Sequence, residues 1–123
     1  MLKPAIPNIF VTDFPAALAY YTGTLGFRAL FVFGDPPFYA HVARDEAILA
    51  LRHVIRPVID HSVGEALLSA FIEVSDANAL HASLQAAGAK IDQAPRDEPW
   101  GMRSLIVGDP DGNLICFASD LPR

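Results

Sequence analysis

One unit occurs twice in this chain, and that repeat limits the possible folds more than any other feature. Ile9-Phe10-Val11-Thr12-Asp13 and Phe71-Ile72-Glu73-Val74-Ser75-Asp76 are both β-rich runs ending in an aspartate. An aspartate there accepts hydrogen bonds from the free N–H groups of a following helical turn, so each run reads as a strand entering a helix. After Asp13, Pro15 is tolerated in the first turn. Phe14, Ala17, Leu18 and Tyr21 then recur at helical spacing, and Gly23 and Gly26 mark the end. After Asp76, Leu80, Leu84 and Ala87 form a second apolar stripe, with Gly88 as its stop. The two aspartates are 63 residues apart, and the pairs Ala17-Leu18 and Ala79-Leu80 are 62 apart.

The segments after the two helices also correspond. Residues 27–33 read as a strand broken by Gly34-Asp35-Pro36-Pro37. Residues 38–43 and 47–52 read as two more strands around the polar turn Arg44-Asp45-Glu46. In the second half, residues 89–92 form a short strand. Residues 101–107 and 113–117 flank Asp109-Pro110-Asp111-Gly112, a strong turn signal because Pro and Gly suit its inner positions. The expected fold is α+β: two βαβββ modules with mixed sheets sharing one core. The expected organisation is a single domain over 1–123, with module one at 1–53, a connector at 54–66 and module two at 67–123.

Composition narrows the function classes. Apolar residues make up 52% of the chain and charged residues 19%, which excludes disorder. No apolar run approaches the roughly 18–20 residues that span a bilayer, so no membrane role is expected. Nine Lys and Arg are scattered without a basic stripe, and the net charge is −5, so nucleic acid is not expected as a partner. Mild acidity serves solubility first and also suits a cationic ligand. The lone Cys116 excludes an internal disulfide and fits a reducing compartment. Pro4 and Pro7 interrupt any signal-type helix, and a cytoplasmic location is expected.

Residues 7–13, then Ala17-Leu18-Ala19-Tyr20-Tyr21 and Leu25-Gly26-Phe27, resemble the opening of the vicinal-oxygen-chelate superfamily. That group comprises glyoxalases, bleomycin-resistance proteins and extradiol dioxygenases. Pro99-Trp100-Gly101-Met102-Arg103 followed by Asp109-Pro110-Asp111-Gly112-Asn113 resembles its closing hairpin. The resemblance implies curved sheets forming a cup, commonly completed in a homodimer. It also implies four positions at which the family's enzymes hold a divalent metal; here they are Ile6, Ala50, Ser69 and Cys116. Ile6 and Ala50 have no donor atom, Ser69 is a poor ligand, and one thiolate at Cys116 is not a site. Neither a metal nor any other cofactor is therefore expected, and the chain is closest to the metal-free bleomycin-resistance branch.

Strand alternation supplies the candidate ligand-binding residues. Ile9 and Val11 pack under the helix, leaving Asn8 and Phe10 for the cup. Phe38, Ala40 and Val42 make an apolar face, leaving Tyr39 and His41. By the same parity Arg52 joins Ala50, and Phe71 and Glu73 join Ser69. Trp100 completes an aromatic set. Such a concavity, mostly apolar with a few polar groups, suits a small molecule. The competing structural reading is that these rings fill the cup or a dimer contact. His53, His61 and His81 match no ligand spacing. No catalytic residue is assigned. The leading expectation is binding without chemistry, sequestering an antibiotic or similar amphipathic ligand. The alternatives are a divergent metal-dependent lyase, isomerase or dioxygenase using His41, Glu73 and Cys116, or a dimerisation module with a filled cup.

Overall fold

The computed structural model describes residues 1–122. The chain divides into two compact units, residues 1–58 and 59–123. Each contains one βαβββ module, which is the α+β architecture the repeat implies.

Module one runs β1 (Asn8–Val11), α1 (Phe14–Ala19), a π-helical turn (Tyr20–Thr24), β2 (Arg28–Gly34), β3 (Pro37–Arg44) and β4 (Ala47–His53). Asp13 caps α1, its carboxylate accepting from the Ala16 N–H at 3.1 Å. The helix is shorter than the stripe suggests. Past Ala19 the chain widens into the π-helical turn, which keeps Tyr21 on the core side, fully buried. The sheet order is β1-β4-β3-β2, with β1 parallel to β4 and the other pairs antiparallel. Ile9 and Ala40 both lie opposite Leu51, and Val42 lies opposite Leu49. All five are buried, and with Phe14, Ala17 and Tyr21 they form the core between sheet and helix.

Module two repeats the order: β5 (Leu68–Glu73), α2 (Ala77–Ala86), β6 (Lys90–Asp97), β7 (Met102–Gly108) and β8 (Leu114–Asp120), in a sheet ordered β5-β8-β7-β6. Asp76 caps α2 through the Ala79 N–H at 3.0 Å. The Ser119 hydroxyl also accepts from the Ala77 N–H at 3.1 Å, tying the helix start to β8. Gly88, with φ +85°, closes the helix: its N–H reaches the Gln85 carbonyl and the Ala89 N–H the Leu84 carbonyl. β6 reaches Asp97, five residues past its expected end, because two register irregularities interrupt the alternation that marks a strand in sequence.

The turn between β7 and β8 is held by one buried carboxylate. Asp109 Oδ1 accepts from the N–H groups of Asp111 and Asn113 at 2.9 and 2.8 Å, and Oδ2 accepts from Asn113 Nδ2 at 2.8 Å. Gly112 supplies the left-handed residue, φ +82°. The connector docks on this turn, His61 Nε2 lying 3.1 Å from the Gly112 carbonyl. No helix among the described residues is long and apolar enough to cross a membrane.

Candidate functional site

Residues paired directly across neighbouring strands point to the same face of a sheet. In module one, Asn8 and His41 both lie opposite Ala50, while Phe10 and Tyr39 both lie opposite Arg52. These residues therefore share the face turned away from α1. The register extends that face onto β2, where Phe31 lies opposite His41 and Phe33 opposite Tyr39. Phe31 packs on His41 with ring centroids 4.6 Å apart and on Tyr39 at 6.0 Å. The Tyr39 hydroxyl and His41 Nε2 share a hydrogen bond at 3.0 Å. Phe31 remains 44% exposed and Phe33 63% exposed. The result is an open aromatic surface on which Arg52 lies between Phe10 and Tyr39.

Phe31 and Phe33 are absent from the residues that alternation picks out. β2 reads Arg-Ala-Leu-Phe-Val-Phe, apolar at every position after the first, so nothing in its sequence says which side faces where. Phe38 is a correction of another kind. Parity places it with Ala40 and Val42, yet it is 47% exposed and its ring meets Phe33 edge-on at 5.7 Å. The pairing slips between Phe33↔Tyr39 and Gly34↔Pro37, and Phe38 is the residue left over in that slip.

In module two the corresponding face carries Phe71, opposite Cys116, and Glu73, opposite Ala118. Phe71 and Glu73 are exposed. Buried Cys116 and Ile106 lie in register beside Phe71, and a set of polar groups is tied together next to them. Arg96 Nε donates to Glu98 Oε1 at 2.7 Å and the Ser104 hydroxyl donates to the same oxygen at 2.8 Å. Gln93 Nε2 reaches the Ser104 carbonyl at 3.3 Å. The Arg96 guanidinium and then the Ser104 hydroxyl hold the Glu98 carboxyl below its ordinary range, so Glu98 is ionised at neutral pH. Gln93 and Arg96 belong to the irregular part of β6, where period-two reading fails, Ser104 to its partner strand β7, and Glu98 follows the end of β6. Trp100 sits apart, in the β6–β7 turn, 67% exposed. It lines an open depression of about 420 Å³ with Gly101, Asp120, Leu121 and Pro122.

The four family metal positions do not form a donor set. Ile6 and Ala50 are aliphatic, and Ala50 is buried. The Ser69 hydroxyl is engaged with Asn113 Oδ1 at 3.4 Å. Cys116 is buried, and desolvation, reinforced by the Glu98 charge, pushes its thiol above the ordinary range. A single sulfur with no further donors gathered beside it among the described residues is not a metal site. Within each module, no three of the described His, Cys, Asp and Glu side chains come together as a metal site. The residues present do not fit a divalent ion.

The family model described as Glyoxalase/Bleomycin resistance protein/Dioxygenase superfamily matches residues 4–117. No curated protein matches the chain in sequence. Among solved structures, TioX from Micromonospora sp. ML1 is 27% identical with a TM-score of 0.74, over 94% of this chain and 97% of that one. The bleomycin-binding protein of the bleomycin-producing Streptomyces verticillus, solved with copper(II)-bleomycin, is 28% identical with a TM-score of 0.67, over 100% of both chains. TnmS3, an antibiotic binding protein from Streptomyces sp. CB03234, is 27% identical with a TM-score of 0.69, over 98% of both.

Proposed function

Because this chain belongs to the Glyoxalase/Bleomycin resistance protein/Dioxygenase superfamily, we propose that it binds and sequesters a small, flat or amphipathic molecule without transforming it. The observation that carries this reading is the open aromatic surface of module one. Phe31, Tyr39 and His41 are in mutual contact there, beside exposed Phe33. Rings left exposed on a sheet face offer stacking area at low entropic cost, which suits a planar ligand. Module two, taken by itself, also presents an exposed ring and an exposed carboxylate on its sheet, Phe71 and Glu73. The likeness to two antibiotic-binding proteins at 27–28% identity supports an antibiotic-like ligand. The same proposal puts the protein in the cytoplasm, with no nucleic-acid partner.

A thermal-shift screen over planar antibiotics, paired with metal analysis, tests this function. A ligand that binds only the folded state raises Tm, by about 2.7 kcal/mol of added stability at a hundredfold excess over Kd. The expected result is a ligand-dependent rise in protein that carries far less than one equivalent of zinc, nickel, iron or manganese. One tightly bound equivalent of metal that is needed for turnover would instead favour a divergent enzyme built on His41, Glu73 and Cys116.

The second element of the proposal is a homodimer, and the apolar edge strand supports it. β2 is the outer strand of its sheet, and Leu30, Phe31, Val32 and Phe33 are all exposed. A long apolar edge with unpaired backbone groups is a template for another strand, and monomeric proteins ordinarily blunt it with charge. A second copy of this chain is the occupant we propose. Light scattering at micromolar concentration is expected to give twice the chain mass. Val32→Lys places an ammonium on the edge, on the face opposite Phe31, and is expected to shift the protein to monomer. A monomeric wild type, or a Val32→Lys dimer as stable as the wild type, would refute this.

A further inference from the structure

The chain carries a net charge of −5, which taken alone points to a cationic ligand. The charges on the aromatic face say otherwise. Arg52 is exposed on that face, flanked in register by Phe10 on one side and Tyr39 on the other. Among the described residues it makes no ion pair.

No acid of module one pairs with Arg52. Asp13 and Asp35 lie at the same end of the sheet as Arg52, but Asp13 is engaged in capping α1 and Asp35 sits in the β2–β3 turn, off the strands; Asp45 and Glu46 form the turn at the far end of the β3–β4 hairpin. The contrast with module two is direct: its Arg96 is neutralised by Glu98 at 2.7 Å. Net charge acts at long range and is screened within about 8 Å at physiological salt, so the nearest unneutralised group decides what the face attracts.

We infer that the ligand is a planar aromatic molecule bearing an anionic substituent, a carboxylate or an acidic phenol, with the rings of module one stacking on its plane and the Arg52 guanidinium taking the anion. This rests on the proposed binding function and specifies its ligand. Guanidinium offers a forked set of donors that matches a carboxylate, and a bond with both partners charged is about twice as strong as a neutral one.

Three matched fluorescent probes separate the contributions: anthracene-9-carboxylate, neutral 9-(hydroxymethyl)anthracene and cationic 9-(aminomethyl)anthracene. Titrations at physiological salt are expected to give the carboxylate a Kd about tenfold below that of the alcohol, and the amine the weakest binding. Arg52→Gln is expected to abolish the carboxylate's preference, bringing the carboxylate and the alcohol within about twofold of each other. Arg52→Lys should keep part of the preference, because charge remains but the fork is lost. Arg103→Gln, which removes one positive charge from module two, should leave the order intact.

If all three probes bind equally, or the amine binds most tightly, the anionic-ligand inference falls and the aromatic binding face stands. If no probe binds, the proposed binding function falls with it.

Discussion

Asp109→Ala is expected to lower stability by about 3 kcal/mol or more, because it leaves buried donors without partners. Its carboxylate accepts three hydrogen bonds of 2.8–2.9 Å, two of them from the buried N–H and side-chain amide of Asn113. Asp109 and Asn113 are 2% and 1% exposed, so water cannot replace the lost acceptor without opening the turn. Each orphaned buried donor costs about 1–3 kcal/mol, against a total domain stability of about 5–15 kcal/mol. The damage should spread beyond the turn. Asn113 also accepts from Ser69 on β5, and the Gly112 carbonyl receives His61 of the connector. Urea denaturation reads the result as a lower midpoint with an unchanged slope. Asp109→Asn keeps an oxygen for the two Oδ1 bonds and sets an amide against the Asn113 amide, so an intermediate loss is expected. A change below about 1 kcal/mol for Asp109→Ala would mean that the turn is held by its backbone alone.

The same turn shows what the sequence makes legible. Asp109-Pro110-Asp111-Gly112 is a local signal: each residue type fits its position for a reason that needs no knowledge of the rest of the chain. Asp13 and Asp76 are equally local, and both caps form where they are expected. The spacing between these signals, repeated across two halves, was enough for the fold. Side-chain direction was legible only where the strand alternates. Ile9 and Val11 against Asn8 and Phe10, or Ala40 and Val42 against Tyr39 and His41, differ enough in polarity or size to assign a face.

β2 offers no such contrast, and its two phenylalanines acquire a side only through pairing with β3. Pairing is a non-local fact that β2 does not carry in its own residues. Phe38 fails for a related reason: one residue of slip reverses parity, and nothing in Asp35-Pro36-Pro37-Phe38 announces it. The polar network of Gln93, Arg96, Glu98 and Ser104 was hidden by two slips in β6. Net charge misleads in the same way, because a sum over 123 residues says nothing about which charges stand unneutralised on one face.

Removing the rings of module one should separate binding from folding. Phe31→Ala is expected to weaken 9-(hydroxymethyl)anthracene about tenfold, since an aromatic pair contributes about 0.5–1.5 kcal/mol beyond the area it buries. Phe31→Ala with Tyr39→Ala should reach about a hundredfold if the two rings contact the probe independently. Stability should change far less, because Phe31 is 44% exposed on an edge strand and Tyr39 is only half-buried. The contrast is Leu51→Ala, on the opposite face of β4 and fully buried against Ile9 and Ala40. There the loss should be about 2–5 kcal/mol of stability. A side chain kept for the fold costs stability when removed; a side chain kept for a ligand costs affinity. Fluorescence titration and urea denaturation on the same three variants read the two quantities separately. If Phe31→Ala destabilises as much as Leu51→Ala while affinity moves by less than about twofold, the rings support the fold and the aromatic face is not the binding surface.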